Sequence, residues 1–327
     1  MEYTTLGRTG LTVSRLALGC MSYGDPAWRG WVLNEDAAQP FFRRAIEAGI
    51  NFFDTADMYS LGQSEEITGR ALRRYANLDE VVIATKVHFT MGSGPNMKGL
   101  GRKHIVQGCE ASLRRLGVDT IDLYQIHRLD RAVPMDEILS ALDHLVQSGK
   151  VRYLGASTMY AWEFAKALHT SNAHGWARFA SMQNHYNLVY REEEREMIGL
   201  CLSEGVGVIP WSPLARGLLT RPPRAQAGGE TTRAAFETSN MDVLYDHPTD
   251  AAVIAAVERV AEARERPMAQ VALAWLLQRK GVTAPIIGTT KMPQLEDAIA
   301  ATSISLSAEE CAAMEAPYTA HDVRGWI

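Results

Sequence analysis

The residues whose types could most clearly carry out chemistry begin in one segment, residues 51–64. There Asp54 ends an apolar run that predicts a buried strand, and Tyr59 follows five residues later in a polar loop. Two later apolar runs also end at ionisable side chains, the first at Lys86 and the second at His127. A carboxylate, a phenol, an ammonium and an imidazole are groups that move protons. The carboxyl ends of successive parallel strands are where a (β/α)8 barrel carries its catalytic groups.

The composition excludes several classes of partner. The chain has 327 residues, of which 46% are hydrophobic and 22% charged, and a formal net charge of -5. This is ordinary globular composition, and the negative balance offers no electrostatic attraction for nucleic acid or an anionic membrane. We therefore expect neither nucleic acid nor a membrane surface as a partner.

The cysteines and the N-terminus indicate a reducing compartment. The four cysteines form no C-x-x-C pair, which argues against a disulfide framework and against a zinc site, so no metal is expected. The first residues lack the charged and apolar regions of a signal peptide, and no apolar run reaches the roughly 20 residues that span a bilayer. We expect a cytoplasmic protein. The cysteines are Cys20, Cys109, Cys201 and Cys311.

Eight short apolar runs alternate with amphipathic stretches along the chain. Strands are predicted at residues 17–21, 51–54, 81–86, 121–127, 151–157, 180–184, 206–211 and 284–288. Helices are predicted at residues 36–48, 64–74, 103–116, 136–148, 162–169, 193–204, 250–265, 268–279 and 294–300. Several helices are followed by a glycine that suits a left-handed C-terminal cap. The alternation predicts a parallel sheet with right-handed crossovers. The capping glycines are Gly49, Gly117, Gly149, Gly205 and Gly281.

Two architectures fit this alternation, a closed (β/α)8 barrel and an open doubly wound sheet. The open nucleotide-binding sheet carries G-x-G-x-x-G after its first strand, and this chain has no such motif. We therefore predict one (β/α)8 TIM barrel domain over residues 1–327. Residues 3–13 are expected to form an N-terminal β-hairpin at the barrel floor. Residues 217–248 are predicted to be a long loop, which would be a lid that covers a bound cofactor, a binding loop or a disordered segment.

Four motifs occur in the order and at the strand ends found in the aldo-keto reductases. These four motifs resemble the catalytic tetrad region of that family, and they are residues 53–56, Tyr59, residues 85–86 and residues 126–127. The similarity extends from residues 6–7 to residues 288–290 and the last helix. Residues 183–184 and 211–214 resemble the bacterial YajO-like branch, which is related to the β subunits of potassium channels.

The resemblance implies carbonyl reduction by hydride transfer from NADP(H), with NAD(H) possible. Tyr59 would be the general acid, although a free tyrosine, with a pKa of about 10, releases its proton reluctantly. Lys86 would lower that pKa, Asp54 would keep Lys86 charged, and His127 would orient the substrate carbonyl. The same tetrad would oxidise alcohols when the cofactor ratio is reversed.

The resemblance also implies a cofactor site. Ser157 and Gln183 match positions that hold the nicotinamide carboxamide, and Trp211 matches an aromatic residue that stacks on its ring. A core tryptophan is the alternative for Trp211. Further expected contacts are Gly19, Cys20, Met21 and Asp54 beside the tetrad, Ser212, Pro213, Leu214, Gly217 and Arg233 along the pyrophosphate, and Gly288, Thr290, Lys291, Gln294 and Asp297 at the adenosine half. A solvated arginine is the alternative for Arg233.

The choice of NADP(H) follows from the last of these motifs. A helix N-terminus after a strand binds anions through its free N–H groups, and Lys291 adds a positive charge suited to a 2′-phosphate. Three positions depart from the family pattern: Thr158 and Ala298 stand where asparagine is common, and Trp211 stands where tyrosine is more frequent. These departures bear on cofactor affinity rather than on the reaction.

The substrate pocket is expected to be aromatic. Trp28, Trp31 and Phe89, with the tail around Trp326, are candidates to surround Tyr59 and His127, and packing against the barrel rim is the alternative for each. His88 and Arg128 follow strand ends, where they could meet a polar or anionic group.

Two rival functions remain. A nucleotide-sensing regulatory subunit would bind the same cofactor on the same fold with negligible turnover. A metal-dependent barrel hydrolase needs clustered ligands at the strand ends, where only Asp54 and His127 are available, so it is disfavoured.

Overall fold

The barrel strands are short runs of apolar and β-branched residues, almost all of them buried, as expected for parallel strands covered on both faces. A computed structural model describes residues 1–222 and 244–324, so Arg233 and Trp326 lie outside the described residues. The barrel strands are β3 (Ala17–Gly19), β4 (Phe52–Asp54), β5 (Val82–Val87), β6 (Ile121–Ile126), β7 (Val151–Ser157), β8 (Phe179–Gln183), β9 (Gly207–Val208) and β10 (Ile286–Ile287). All eight lie at the predicted places, with ends shifted by a few residues.

Hydrogen bonds between the first and last strands close the sheet. Each strand from β3 to β8 pairs in parallel with the next in sequence, and β10 pairs in parallel with β3. The segment before β10 then bonds to β9 and the residues after it: Thr283 N donates to Val208 O (2.8 Å) and Ile286 N donates to Pro210 O (2.9 Å). The predicted (β/α)8 barrel is confirmed, and the open sheet is excluded.

A two-stranded hairpin covers the floor of the barrel. Strands β1 (Tyr3–Thr5) and β2 (Thr12–Ser14) pair antiparallel, as predicted. Leu6 and Val13 at this hairpin are fully buried and belong to the same interior cluster as Phe52 and Leu123 of the barrel strands. Gly7 adopts φ +58°, and a Cβ there would lie 2.5 Å from Gly205 O, so only glycine permits this approach. The hairpin leaves the opposite mouth free for chemistry.

Helices surround the barrel and follow the predicted positions with two clear differences. Helix α6 starts at residue 197 rather than 193, because Glu193 turns inward to accept a hydrogen bond from Asn184 Nδ2 (3.0 Å). Helix α5 continues to His174, where Gly175 ends it with φ +67°. The helices are α1 (Glu35–Glu47), α2 (Gln63–Tyr75), α3 (Arg102–Leu116), α4 (Met135–Gln147), α5 (Ala161–His174), α6 (Met197–Glu204), α7 (Asp250–Ala263), α8 (Met268–Leu277), α9 (Met292–Ala301) and α10 (Ala308–Glu315).

The last helix, α10, lies beyond the predicted set, although its start carries a clear signal. Ser307 accepts a hydrogen bond from Glu310 N, and Glu310 reaches back to Ser307 N. This capping box is visible in the sequence as S-x-x-E. Within the described ranges, no helix has the length and apolar character required to cross a membrane.

Candidate active site

Parallel strands bring four polar side chains to one mouth of the barrel. Asp54 is the last residue of β4, Lys86 lies near the end of β5, and Gln183 ends β8. His127 directly follows β6, and its backbone N–H donates to Val87 O (2.9 Å). Since all these strands run in the same direction, their carboxyl ends share one face. The predicted gathering of Asp54, Lys86 and His127 at this face is present.

Lys86 is the centre of the cluster. Its side chain is completely buried. Its Nζ donates to Asp54 Oδ1 (2.5 Å), to Thr55 O (2.7 Å) and to Tyr59 OH (3.4 Å), so all three ammonium protons have acceptors. Burial acts to lower the pKa of Lys86, but the Asp54 carboxylate and Tyr59 outweigh it and the net pKa is raised. Lys86 therefore stays positively charged at neutral pH.

The phenol of Tyr59 has a raised pKa. Burial is the largest cause, and the Lys86 ammonium acts in the opposite direction. The lowering by Lys86 expected from the sequence is therefore present, but the expected net direction is wrong, because Tyr59 is only 8% exposed and desolvation opposes its ionisation. Tyr59 is consequently protonated at neutral pH and carries a proton that it can donate.

His127 is neutral. Burial, followed by the nearby Lys86 and Arg128 charges, holds the pKa of its imidazole well below the ordinary range. Its ring meets Tyr59 edge-on at 5.7 Å and Phe89 edge-on at 4.8 Å between centroids. Its buried Nδ1 has no hydrogen-bond partner among the described residues. A neutral imidazole in this position can donate one hydrogen bond beside the Tyr59 hydroxyl.

Two glutamines support the Asp54 carboxylate from inside the barrel. Gln125 Nε2 donates to Asp54 Oδ2 (2.9 Å), and Gln183 Nε2 donates both to that oxygen (3.0 Å) and to Gln125 Oε1 (3.1 Å). Gln125 is absent from the sequence-based set. The sequence nevertheless contains a signal for Gln125. Side chains two residues apart in a strand share a face, so Gln125 lies on the same face as His127, and a buried carboxylate requires hydrogen-bond donors. With Lys86, these contacts fix both oxygens of Asp54.

The loop that carries Tyr59 is held by polar contacts to its neighbours. Thr55 Oγ1 donates to Ser64 Oγ (3.0 Å), and Ser64 Oγ donates to Cys20 O (2.7 Å). Asp25 N donates to Ser60 Oγ (3.0 Å), which ties this loop to the one after β3. The hydroxyl of Tyr59 is thereby positioned from two sides.

Strained backbone concentrates at the same mouth. Eight non-glycine residues of the described chain have positive φ, and six of them follow β4, β7 or β9. Such conformations cost on the order of 1–3 kcal/mol each and cluster at functional sites. The six are Ser60, Leu61, Thr158, Ser212, Ala215 and Arg216. Their position marks this face as the functional one independently of the ionisable groups.

The residues expected at the nicotinamide lie beside the tetrad. Ser157 Oγ donates to Gln183 O (2.8 Å). Thr158, which stands where asparagine is common in the family, accepts a hydrogen bond at its Oγ1 from Trp211 Nε1 (3.2 Å). Trp211 is half-buried rather than part of the core, and its ring stacks on His185 at 4.3 Å with an angle of 11°. His185, a support for Trp211, is missing from the predicted set.

A tight turn follows Trp211. Ser212 (φ +51°), Arg216 (φ +54°) and Gly217 (φ +102°) direct the backbone through left-handed conformations, and Pro213 is buried while Leu214 is half-buried. Successive N–H groups in such turns form concavities that accept anions. In the described part of this segment, however, Ala215 N donates to Ser212 O (2.9 Å) and Gly217 N donates to Leu214 O (2.9 Å), so these two N–H groups are engaged within the turn.

The expected adenosine site begins where β10 leads into α9. Gln294 Oε1 accepts hydrogen bonds from Thr290 N (3.0 Å) and Lys291 N (3.1 Å), so the helix start is already capped by its own side chain. Asp297 Oδ1 accepts from Gln270 Nε2 (2.8 Å), while Lys291 and Gly288 are exposed. The predicted residues are brought together, with Gln294 and Asp297 engaged within the protein.

The residues expected around the end of β3 are buried or half-buried. Cys20 is fully buried, and burial raises the pKa of its thiol to about 12. A Cβ on Gly19 would lie 2.9 Å from Ile286 Cγ2, so this strand end sits tightly against β10. Met21 is half-buried in the turn that follows.

The candidate substrate residues divide into two groups. Trp28 lies 6.4 Å from Tyr59 between ring centroids, and Phe89 contacts His127 as described, so these two rings flank the tetrad. Trp31 is 5% exposed and presents little surface. Arg128 Nη1 donates to His127 O (2.7 Å), and its guanidinium lies 5.9 Å from the Phe89 centroid. The mouth thus combines aromatic walls with the Arg128 guanidinium, in addition to the Lys86 ammonium.

Comparison with known proteins agrees with this geometry. A model of the Aldo/keto reductase family matches residues 15–318. Versiconal hemiacetal acetate reductase of Aspergillus parasiticus is 45% identical over 340 residues, which cover 97% of each chain. Putative aryl-alcohol dehydrogenases of Schizosaccharomyces pombe and Saccharomyces cerevisiae are 42% and 40% identical; the alignments cover 99% and 97% of this chain, and 98% and 97% of theirs.

Proposed function

The chain belongs to the aldo/keto reductase family, and on that premise we propose that it reduces aldehydes or ketones of small molecules with NADPH, using Tyr59 as general acid. One observation carries the proposal: a single buried ammonium, Lys86 Nζ, contacts both the Asp54 carboxylate and the Tyr59 hydroxyl. Burial keeps the Tyr59 phenol protonated in the resting site, and the Lys86 ammonium stabilises the phenolate that remains once the proton has left.

In this mechanism the substrate carbonyl oxygen lies between Tyr59 OH and the His127 ring. NADPH, when bound, supplies the hydride to the carbonyl carbon. His127 donates a hydrogen bond to the oxygen as negative charge develops, and Tyr59 transfers its proton to the same oxygen. Lys86 stabilises the resulting phenolate, and Asp54 holds Lys86 in place. In the reverse direction the phenolate accepts the proton of an alcohol.

Several residues support the choice of a nicotinamide cofactor. Trp211 is held in place by His185 and Thr158, where it would pack against the nicotinamide ring. Gln183 Nε2 is engaged by Asp54, but no hydrogen bond reaches its Oε1 from the described residues, which leaves that oxygen to accept the carboxamide N–H. The turn after Trp211 would hold the pyrophosphate, together with Arg233.

The preference for NADPH over NADH rests on Lys291. This exposed lysine has no ion-pair partner among the described residues and stands at the start of α9, where the helix dipole also favours an anion. A 2′-phosphate would gain from both charges, whereas a bare ribose would not.

The substrates we propose are aromatic aldehydes and the corresponding alcohols. Two relatives are named as putative aryl-alcohol dehydrogenases, and another as a reductase of a hemiacetal acetate. The rings of Trp28 and Phe89 on either side of the tetrad fit a flat, apolar substrate, since aromatic pairs favour offset or edge contacts.

The test is consumption of NADPH, followed by absorbance, across aromatic and aliphatic aldehydes and ketones, with NADH in parallel and with Tyr59→Phe as the matched variant. We expect turnover that collapses in Tyr59→Phe while NADPH binding persists. Tight NADPH binding without turnover in either direction would instead favour the nucleotide-sensing regulatory subunit. Failure to bind either nucleotide would exclude both functions.

Three parts of the proposal concern the chain as a whole: one domain over residues 1–327, a cytoplasmic location, and membership of the bacterial YajO-like branch. The family match over residues 15–318 supports the single domain. The relatives named above are fungal, so the bacterial branch stays a prediction.

A further inference from the structure

A cluster of ligating side chains has no part in the proposed reaction. His247, Asp250 and His321 each offer one ligand atom, and these atoms lie within 4.8 Å of one another. Asp250 is the first residue of α7, His247 precedes it by three residues, and His321 belongs to the segment after α10. The chain thus joins its C-terminal segment to the start of α7 through two imidazoles and a carboxylate. None of the three belongs to the predicted site.

The cluster contains buried polar atoms that lack partners. His321 is 5% exposed, and neither of its ring nitrogens has a hydrogen-bond partner among the described residues. Asp250 Oδ1 is also buried without a hydrogen bond, and it lies 3.6 Å from His321 Nε2, beyond hydrogen-bonding distance. Buried polar groups are nearly always satisfied, so these atoms, which face one another, point to a ligand between them.

Neighbouring groups orient the cluster. His247 Nδ1 hydrogen-bonds with Thr249 Oγ1 (2.9 Å), and Thr249 Oγ1 hydrogen-bonds with Thr319 Oγ1 (3.2 Å). This leaves Nε2 of His247 with no hydrogen bond from the described residues. The backbone N–H of His321 donates to Glu192 Oε1 (2.6 Å), which fixes the C-terminal segment. A metal-ligating histidine donates its second ring N–H to a neighbour, so ligation through Nε2 requires His247 Nδ1 to donate to Thr249 Oγ1, in place of accepting from the Thr249 backbone N–H (3.4 Å).

We propose that His247, Asp250 and His321 form a binding site for a zinc ion with a fourth, open position for water. Two imidazole nitrogens and one carboxylate oxygen are ligands that zinc accepts in three-residue sites. Bonds of about 2.0–2.2 Å place tetrahedral ligand atoms roughly 3.4 Å apart, so the longest separation, at most 4.8 Å, would close by up to about 1.4 Å. The rings of His247 and His321, now stacked at 3.9 Å, tilt until their lone pairs converge.

Bound zinc would clamp the C-terminal segment onto the start of α7. The clamp lies next to Tyr245, whose hydroxyl contacts His185 Nε2 (2.6 Å), and His185 in turn stacks on Trp211. The nearest arginine of the C-terminal segment, Arg324, is paired with Asp246, which compensates its charge. The ion would tether the C-terminal segment to α7 while water completes its coordination, and Tyr245 and His185 would connect this tether to the aromatic residue at the mouth.

The test uses the untagged full-length protein after treatment with a chelator and dialysis against metal-free buffer. Cobalt(II) replaces zinc as a spectroscopic probe, because four-coordinate cobalt gives strong visible absorption that the zinc ion lacks. We expect one equivalent of Co²⁺ to bind with such a spectrum, and Zn²⁺ to displace it in a titration followed by the same signal. Calorimetry with ZnCl₂ gives the stoichiometry independently.

Matched variants separate this site from adventitious binding. His321→Gln and Asp250→Asn should each lose the cobalt spectrum and bind Zn²⁺ at least tenfold more weakly, while His144→Gln, at an exposed histidine of α4, should behave as the native chain. Added Zn²⁺ should raise the melting temperature of the native chain but not that of His321→Gln. The cooperative melting transition of His321→Gln also establishes that this variant folds. The absence of stoichiometric binding, or binding unchanged in both site variants, would overturn the proposal.

Discussion

Replacement of Lys86 by methionine is the most informative perturbation of the tetrad. Methionine has a similar length and removes the charge that faces Tyr59 OH at 3.4 Å. At an effective dielectric constant of about 20, a unit charge at that distance stabilises a phenolate by about 5 kcal/mol. Since each 1.36 kcal/mol is about a tenfold change in rate, and general acid catalysis contributes about 10²–10⁴-fold, we expect kcat for reduction to fall roughly 10³-fold.

A double-mutant cycle with Tyr59→Phe is the assay, with kcat for aldehyde reduction measured in the native chain, both single variants and the double variant. If Lys86 acts through the Tyr59 proton, the double variant loses little more than the worse single variant, because groups that act as a unit are not additive. Multiplicative losses, or a Lys86→Met variant within tenfold of the native chain, would refute the mechanism. NADPH binding should remain within a few-fold throughout.

A stability control is needed because Lys86→Met leaves the buried Asp54 carboxylate without its counter-ion. Breaking a buried ion pair in this way costs about 3–5 kcal/mol. The neutral pair Asp54→Asn with Lys86→Met removes both charges and should recover most of the free energy of unfolding, measured by urea denaturation. Its kcat should stay low. If the double variant recovered activity as well as stability, the loss of activity in Lys86→Met would have been caused by impaired folding.

Three further predictions follow from buried or exposed groups near the mouth. Gln125→Leu removes one donor to Asp54 Oδ2 and should lower the free energy of unfolding by about 1–3 kcal/mol, measured in urea, whereas Gln147→Leu on α4 should not. Burial raises the pKa of Asp57 to about 8. The unfolded chain therefore loses this proton near pH 4 and the folded chain only near pH 8, so the free energy of unfolding falls as the pH rises between these values. The free energy of unfolding of Asp57→Asn, relative to that of the native chain, should be higher at pH 9 than at pH 4 by more than about 1 kcal/mol. Lys291→Met should weaken NADPH binding about 10–100-fold, as expected for a charge-assisted hydrogen bond of about 1.5–3 kcal/mol, and leave NADH binding unchanged.

Each of these has an outcome that contradicts it. Equal stability of Gln125→Leu and Gln147→Leu would mean that the Asp54 carboxylate does not need the glutamine. A constant difference between Asp57→Asn and the native chain across pH would exclude a shifted pKa. Equal losses of NADPH and NADH affinity in Lys291→Met would remove the basis for NADPH preference.

Much of the architecture follows from local patterns in the sequence. Strands such as residues 121–126 are short apolar runs between glycine-capped helices, and parallel pairing then requires that Lys86 and His127 share one face. The starts and ends of helices were predictable only where a local capping pattern determines them without a tertiary contact. At α6, the inward turn of Glu193 depends on Asn184 of a preceding loop, a tertiary contact that no local pattern contains.

The site was predictable in its residue types but not in its supports. Asp54, Tyr59, Lys86 and His127 stand at strand ends or in the following loop and resemble a family motif. Gln125 is interior to a strand and carries no motif. The zinc ligands lie in two segments far apart in sequence, and only the fold brings them together. Such contacts arise from long-range packing, which spacing along the chain does not encode.

The pKa of Tyr59 illustrates why charge alone misleads at such a site. A neighbouring ammonium predicts an acidic phenol, yet complete burial of Lys86 and near-complete burial of Tyr59 remove the water that would stabilise the phenolate. The resting site therefore keeps the proton on Tyr59 and offers it to an oxygen that becomes negative only during hydride transfer. Because the Lys86 attraction is realised fully only when the phenolate forms, it stabilises the transition state more than the ground state. The same burial that raises the pKa thus favours reduction at neutral pH, and alcohol oxidation should require a more alkaline solution.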